Sequence, residues 1–175
     1  GVGSIMIQLA KWMGMTVVAT ASRQETSDWV TKLGADHVVN HRRYYVADLN
    51  SFGFYLVPYI AILHAPEAHF EQAAALVGPF GHIGAIVESV EPLPVGLIKN
   101  KAASLDWEFM FAKANYGVNM ATQGRALALA ATLADQGVLR TTLTETMTGM
   151  TAETILAAQE KVAAGKVNGK LAIEF

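Results

Sequence analysis

The sequence predicts an α/β chain built as a doubly wound parallel sheet, and three observations carry that prediction. Short apolar runs alternate with amphipathic helical stretches from residue 4 to about residue 137. This is the order that parallel strands joined by crossover helices require. The run Thr16-Val-Val-Ala-Thr-Ala21 is continuous rather than alternating, as a strand covered on both faces must be. The opening Gly1-Val2-Gly3-Ser4 places glycines at a helix start, where unpaired N–H groups and the helix dipole favour an anion.

Each element follows from local pattern. Residues 4 to 13 put Ile5, Ile7, Leu9, Trp12 and Met13 on one broad face, and Gly14 stops the helix. After the strand at 16–21, Thr26-Ser27-Asp28 reads as the cap of a helix that carries Trp29, Val30 and Leu33 and ends at Gly34. His37 to Asn40 is a short strand, 46–50 a helix, and 56–63 a strand weakened in its first half by Pro58. Pro66 opens a helix that Gly78-Pro79 is expected to end, and 81–87 is the next strand. A short helix at 97–101 precedes an aromatic-rich strand, 104–111. The chain closes with a helix over 124–136, a strand over 140–147, a helix over 151–164 with Thr151 as N-cap, and a strand over 170–175.

Composition narrows the function classes. Of 175 residues, 52% are apolar and 16% charged, which argues for a packed core and against disorder. A net charge of -2 gives no general attraction to nucleic acid or to an anionic membrane, so an anion site must be local. With no cysteine there is neither a disulfide nor a thiolate metal site. His37, His69 and His82 show no metal-ligand spacing with carboxylates, so no metal site is expected from this chain. No secretory signal or membrane span is legible, and a soluble cytoplasmic protein is the expectation.

The candidate chemistry lies at two glycines and an arginine. Glycine lets a backbone approach a pyrophosphate without a Cβ in the way, although a plain helix cap would read the same. In a dinucleotide fold, the residues after the second strand meet the adenosine ribose. A carboxylate there binds the 2′-hydroxyl, and an arginine accommodates a 2′-phosphate. Here the strand runs into Ala21-Ser22-Arg23 with no carboxylate before Glu25. The pair Ser22 and Arg23 therefore favours NADPH, the alternative being a solvated arginine ahead of a helix.

Together GVGSIMIQLAK, ATASR, LGADHVVNH and GHIGAIVE resemble the medium-chain dehydrogenase/reductase superfamily. The branch they resemble is that of zinc-type alcohol dehydrogenase-like proteins and quinone oxidoreductases. LDWEFMF and GVLRTTLTET are similar to the same branch, so the resemblance spans the chain. It implies that residues 1–139 form a Rossmann-like NAD(P)-binding domain. Gly1, Val2 and Gly3 would then lie under the pyrophosphate, with Ser22 and Arg23 at the 2′-phosphate. His41 stands where quinone reductases commonly carry a tyrosine near the ribose phosphate. His64 and Val87 fall at the carboxyl ends of strands, where ligands of such sheets sit.

The resemblance also implies a GroES-like catalytic domain that these residues do not include, and a Rossmann sheet lacking its first strand. Residues 140–175 would pack with that domain, and no catalytic residue is assigned within the chain. The reading is the cofactor-binding part of an NADPH-dependent oxidoreductase that passes a hydride to a small carbonyl, enone or quinone. This part alone is expected to be inactive. Its rivals are a non-catalytic NADPH sensor and a structural α/β domain without nucleotide. The aromatic strand 104–111, with Trp107, Phe109 and Phe111 alternating onto one face, is expected to form the edge of a homodimer.

Overall fold

The computed structural model describes residues 1–165 and 167–175. Its elements are α1 (Val2–Trp12), β1 (Val18–Thr20), α2 (Gln24–Lys32), β2 (His37–Val39), α3 (Val46–Ser51), β3 (Val57–Ile62), α4 (Pro66–Leu76) and β4 (Val77–Ala85), followed by a 3-10 helix (Val95–Lys101). Then come β5 (Ser104–Trp107), α5 (Ala112–Tyr116), α6 (Ala121–Asp135), β6 (Leu143–Thr148), α7 (Ala152–Ala163) and β7 (Lys170–Glu174). Strands form three ladders, β1–β2, β3–β4–β5 and β6–β7. The first two share no strand, as the expected doubly wound fold without its first strand requires. Among the described residues, no helix is long and apolar enough to cross a membrane.

Two compact units emerge: residues 1–38 with 125–175, and residues 39–124. In the first, Ile7 of α1, Ala19 of β1 and Val30 of α2 pack with Leu33 and Ala35. The turn that closes α2 is fixed by an ion pair. Asp36 accepts the Lys11 ammonium at 2.8 and 2.9 Å and the Val17 amide at 2.7 Å. Gly34 sits at φ +111°, and a Cβ there would stand 2.9 Å from Lys11 Cγ. Leu33-Gly34-Ala35-Asp36 is thus a structural joint in which glycine supplies the conformation and aspartate the clasp. At the other end of the unit, β6 and β7 pair in parallel through α7, and Thr151 caps α7 by accepting the Thr154 amide, as expected.

The second unit is a parallel β3–β4–β5 sheet with α4 over one face. Phe70, Ala73 and Ala74 of α4 bury against Ile62, Val77, Ile83 and Ile98. Burying Phe70, Val77 and the isoleucines contributes roughly 1.5–3 kcal/mol each, and the two alanines less. Lys101 reaches across to the end of α4 and donates to the carbonyls of Ala74, Ala75 and Val77, each at 2.8 Å. It satisfies acceptors that the helix leaves open.

Four expectations are corrected. First, α2 begins at Gln24 with Arg23 in the extended N-cap position. Thr26-Ser27-Asp28 therefore lie inside the helix, because the Thr26 hydroxyl is turned to Asn168 and Asp28 accepts from Gln24. Second, Gly78-Pro79 does not end α4. The helix stops at Leu76, β4 starts at Val77, and 78–81 form a bulge between the β3–β4 pairs Val57/Val77 and Tyr59/His82. Gly81 is required there, since a Cβ would lie 2.7 Å from Val77 Cγ2 and 2.9 Å from the Pro58 carbonyl. Third, β4 ends at Ala85, so Val87 lies in the following loop. Fourth, β5 ends at Trp107 and the chain turns into α5. Phe109 and Phe111 therefore leave the strand and meet edge to face at 5.6 Å instead of extending a stripe.

Candidate functional site

In the first unit the site begins at α1. Gly1 is its N-cap and makes no side-chain cap, so the helix start keeps its amide donors. Val2 is exposed and Gly3 half-buried. One turn in, Ser4 is buried, and its hydroxyl accepts the Trp29 indole N–H at 2.9 Å. The buried Gln8 amide exchanges two hydrogen bonds with the Arg140 backbone, accepting its N–H at 2.7 Å and donating to its carbonyl at 3.3 Å. The helix that presents Gly1 to Gly3 is thus held from both sides.

Ser22 and Arg23 lie one residue past β1, between it and α2, Ser22 half-buried and Arg23 exposed. The Arg23 guanidinium donates to the Gly165 carbonyl at 3.2 Å and to Thr26 Oγ1 and Asn168 Oδ1 at 3.4 Å. All three acceptors are neutral, so the charge is oriented without being compensated. Such a fork has the chemistry of a phosphate ligand. The donors present, the α1 amides and the Arg23 guanidinium, therefore suit the phosphates of a nicotinamide dinucleotide.

The remaining candidates belong to the second unit. His41 is half-buried in the turn after β2. Its ring meets that of His69 on α4 edge to face at 6.2 Å, and His69 lies 6.3 Å from the buried Tyr45 ring. Burial first, then the nearby Arg42 and His64, pulls the His41 imidazole below its ordinary range. Burial also lowers His69, with His41 and His64 adding to the effect and Glu67 opposing it. His64 is exposed in the loop after β3, and Val87 is half-buried in the loop after β4. The loop after β4 is tied to the first turn of α4 by Ser89, which donates to Glu67 at 3.2 Å.

The sequence showed His69 and His82 at no metal-ligand spacing with carboxylates, and the structure gives both other partners. His82 Nδ1 lies 3.0 Å from Asp106 and 2.9 Å from Ser104 Oγ, and its ring stacks on Tyr59 at 5.8 Å. Strand register creates this cluster, since β4 sets His82 opposite Ser104 of β5 and Tyr59 of β3. Among the described residues, no three His, Cys, Asp or Glu side chains gather as metal ligands. Glu67 and Ser89 were also missed, and their only sequence signal was their place just after two strands.

Comparison with known proteins follows the same lines. Residues 1–104 match the zinc-binding dehydrogenase family. A zinc-type alcohol dehydrogenase-like protein of Staphylococcus aureus is 34% identical over 176 residues, covering all of this chain and 52% of that protein. A Rhizobium etli structure, assigned as a zinc-dependent alcohol dehydrogenase, is 35% identical with a TM-score of 0.90, over 99% of this chain and 51% of that one. A mycobacterial protein solved with NADPH shares the fold at TM-score 0.79 and 18% identity, over 99% of this chain and 53% of that one. The chain spans about half the length of these relatives. On the match across residues 1–104, together with the glycine-started α1 and the parallel α/β ladders, the chain belongs to the zinc-binding dehydrogenase family.

Proposed function

We propose that this chain is the cofactor-binding part of an NADPH-dependent oxidoreductase that reduces a small carbonyl, enone or quinone. The observation that carries the reading is Arg23, an exposed guanidinium between β1 and α2 whose partners among the described residues are neutral oxygens. Ser22 beside it adds a hydroxyl, and Gly1, Val2 and Gly3 offer amide donors for a pyrophosphate. The mycobacterial neighbour's complex with NADPH supports the choice of nicotinamide, as do the dehydrogenase relatives. When bound, the nicotinamide supplies the hydride, and the protein supplies binding and orientation. His41, His64 and Val87 are proposed as further cofactor contacts offered by the second unit's own loops. Residues 140–175 are proposed to pack with the catalytic domain of the whole protein.

Calorimetric titration of the full-length protein with NADPH and NADH tests this. Wild type should bind NADPH at least about tenfold more tightly, a difference of about 1.4 kcal/mol. Arg23→Ala should remove that preference while sparing NADH. Equal affinity for both cofactors in wild type would sink the NADPH reading.

A homodimer through residues 104–111 belongs to the same proposal. β5 has β4 on one side only, and Trp107 at its end is 55% exposed. An unpaired edge next to an exposed aromatic invites strand pairing. Sedimentation should give a dimer that Trp107→Lys shifts toward monomer; a wild-type monomer at high concentration would end this part of the proposal.

A further inference from the structure

Arg23 is held by a loop 142 residues further along the chain. Besides the Gly165 carbonyl, its Nη2 shares a closed triangle with Thr26 and Asn168. Asn168 Oδ1 accepts from Arg23 at 3.4 Å and from the Thr26 hydroxyl at 3.2 Å, and Thr26 Oγ1 in turn accepts from Arg23 at 3.4 Å. These three residues belong to one compact unit. With two donors directed at it, the Asn168 carboxamide is oriented through its oxygen.

Two physical consequences meet here. An exposed arginine carries rotamer entropy, which a ligand must otherwise overcome on binding. A clasp already made in the free protein removes part of that cost. The clasp is also neutral. An aspartate at 168 would orient Arg23 equally well, but it would form an ion pair and present a negative charge to any phosphate. A carboxamide orients the guanidinium and leaves its charge for the ligand.

We propose that Asn168 is a positioning residue for Arg23, and that Asn168, shortly before β7, thereby sets selectivity for a 2′-phosphate. The proposal rests on the reading of Arg23 as the 2′-phosphate ligand. It adds a determinant from the far end of the chain that local sequence around Arg23 does not contain. Gly165 and Thr26 assist, but Asn168 is the side chain whose charge state decides the outcome.

The test uses the full-length protein and two probes that differ only in the phosphate, 2′,5′-ADP and 5′-AMP, titrated calorimetrically. Wild type should prefer 2′,5′-ADP. Asn168→Ala should weaken 2′,5′-ADP by roughly 3- to 10-fold, the worth of one charge-assisted hydrogen bond, and leave 5′-AMP unchanged. Asn168→Asp should weaken it further, although it keeps the acceptor. The double variant Arg23→Ala/Asn168→Ala should bind as Arg23→Ala alone, since a positioning residue has nothing left to position. Asn168→Ser serves in place of alanine should thermal melting show that the alanine variant is unfolded. If Arg23→Ala loses the preference while Asn168→Ala and Asn168→Asp bind as wild type, the positioning role is refuted and the role of Arg23 stands. If wild type does not distinguish the two probes, the phosphate role of Arg23 falls and this inference falls with it.

Discussion

Gln8 and Arg140, 132 positions apart, exchange a pair of hydrogen bonds in which the buried side-chain amide of Gln8 plays the part of a backbone. The Arg140 segment has no strand partner at that point, and Gln8 supplies what a ladder would. Gln8→Leu keeps the volume and removes both partners, leaving a backbone donor and an acceptor unsatisfied. The loss should be about 2–4 kcal/mol, read as a lowered urea midpoint. A midpoint within error of wild type would show that solvent replaces Gln8 at no cost.

The clasp at Asp36 predicts an acid-side dependence of stability. The Lys11 hydrogen bond first, and then the Val17 amide, hold the Asp36 carboxyl below its ordinary value of 3.8. The unfolded chain therefore takes up this proton at higher pH than the folded one. The contribution is complete at neutral pH, begins to fade near the ordinary carboxylate value, and is lost as pH falls through the lowered folded value. Asp36→Asn should lower the melting temperature at neutral pH and converge on wild type in acid. A constant offset across that range would contradict the linkage.

The His41–His69 pair predicts a second dependence, closer to neutrality. Both imidazoles are held below 6.5, chiefly by burial, so the folded state favours their neutral forms. Above that value their effect on stability is constant. Below it the unfolded chain binds protons that the folded one resists, and stability declines until the lowered folded values are reached. Arg42 and His64 sharpen this effect, while Glu67 offsets it at His69. Urea midpoints at about pH 7.5 and pH 5.5 should differ less in His41→Gln and His69→Gln than in wild type. An unchanged difference in both variants would place the dependence elsewhere.

Lys101→Met tests the clamp on α4. The methionine keeps most of the stem and loses three charge-assisted donations to carbonyls at the helix end. Because the ammonium is only partly buried, the loss should be about 1–2 kcal/mol rather than the full sum of three bonds. Lys101→Arg should recover part of it. A methionine variant as stable as wild type would mean that water caps α4 equally well.

What could be read from the sequence was what depends on near neighbours. Thr151 capped α7 where expected because its partner is the amide of Thr154, three residues on. The same logic failed at Thr26, where Asn168 competes for the hydroxyl from 142 residues away. Leu33-Gly34-Ala35-Asp36 was recognisable as a motif, yet its clasp on Lys11 depends on how α1 and α2 pack. The aromatic run after Ser104 resembled a strand throughout, but only its first four residues have β4 to pair with. For the candidate site, Ser22 and Arg23 were legible because they closely follow a strand. Asn168, Glu67, Ser89 and the partners of His69 and His82 depend on register and packing.

The junction of α4 and β4 has a consequence for motion. Leu76 ends the helix and Val77 begins the strand, with no intervening residue to act as a swivel. Fraying the last helical turn would pull on the strand that stands at the middle of the three-stranded ladder. The two elements should therefore open as one cooperative block, and their amide protons should exchange with deuterium at matched rates. The Phe80 amide, exposed in the bulge within the strand, would exchange faster than the block on either side of it.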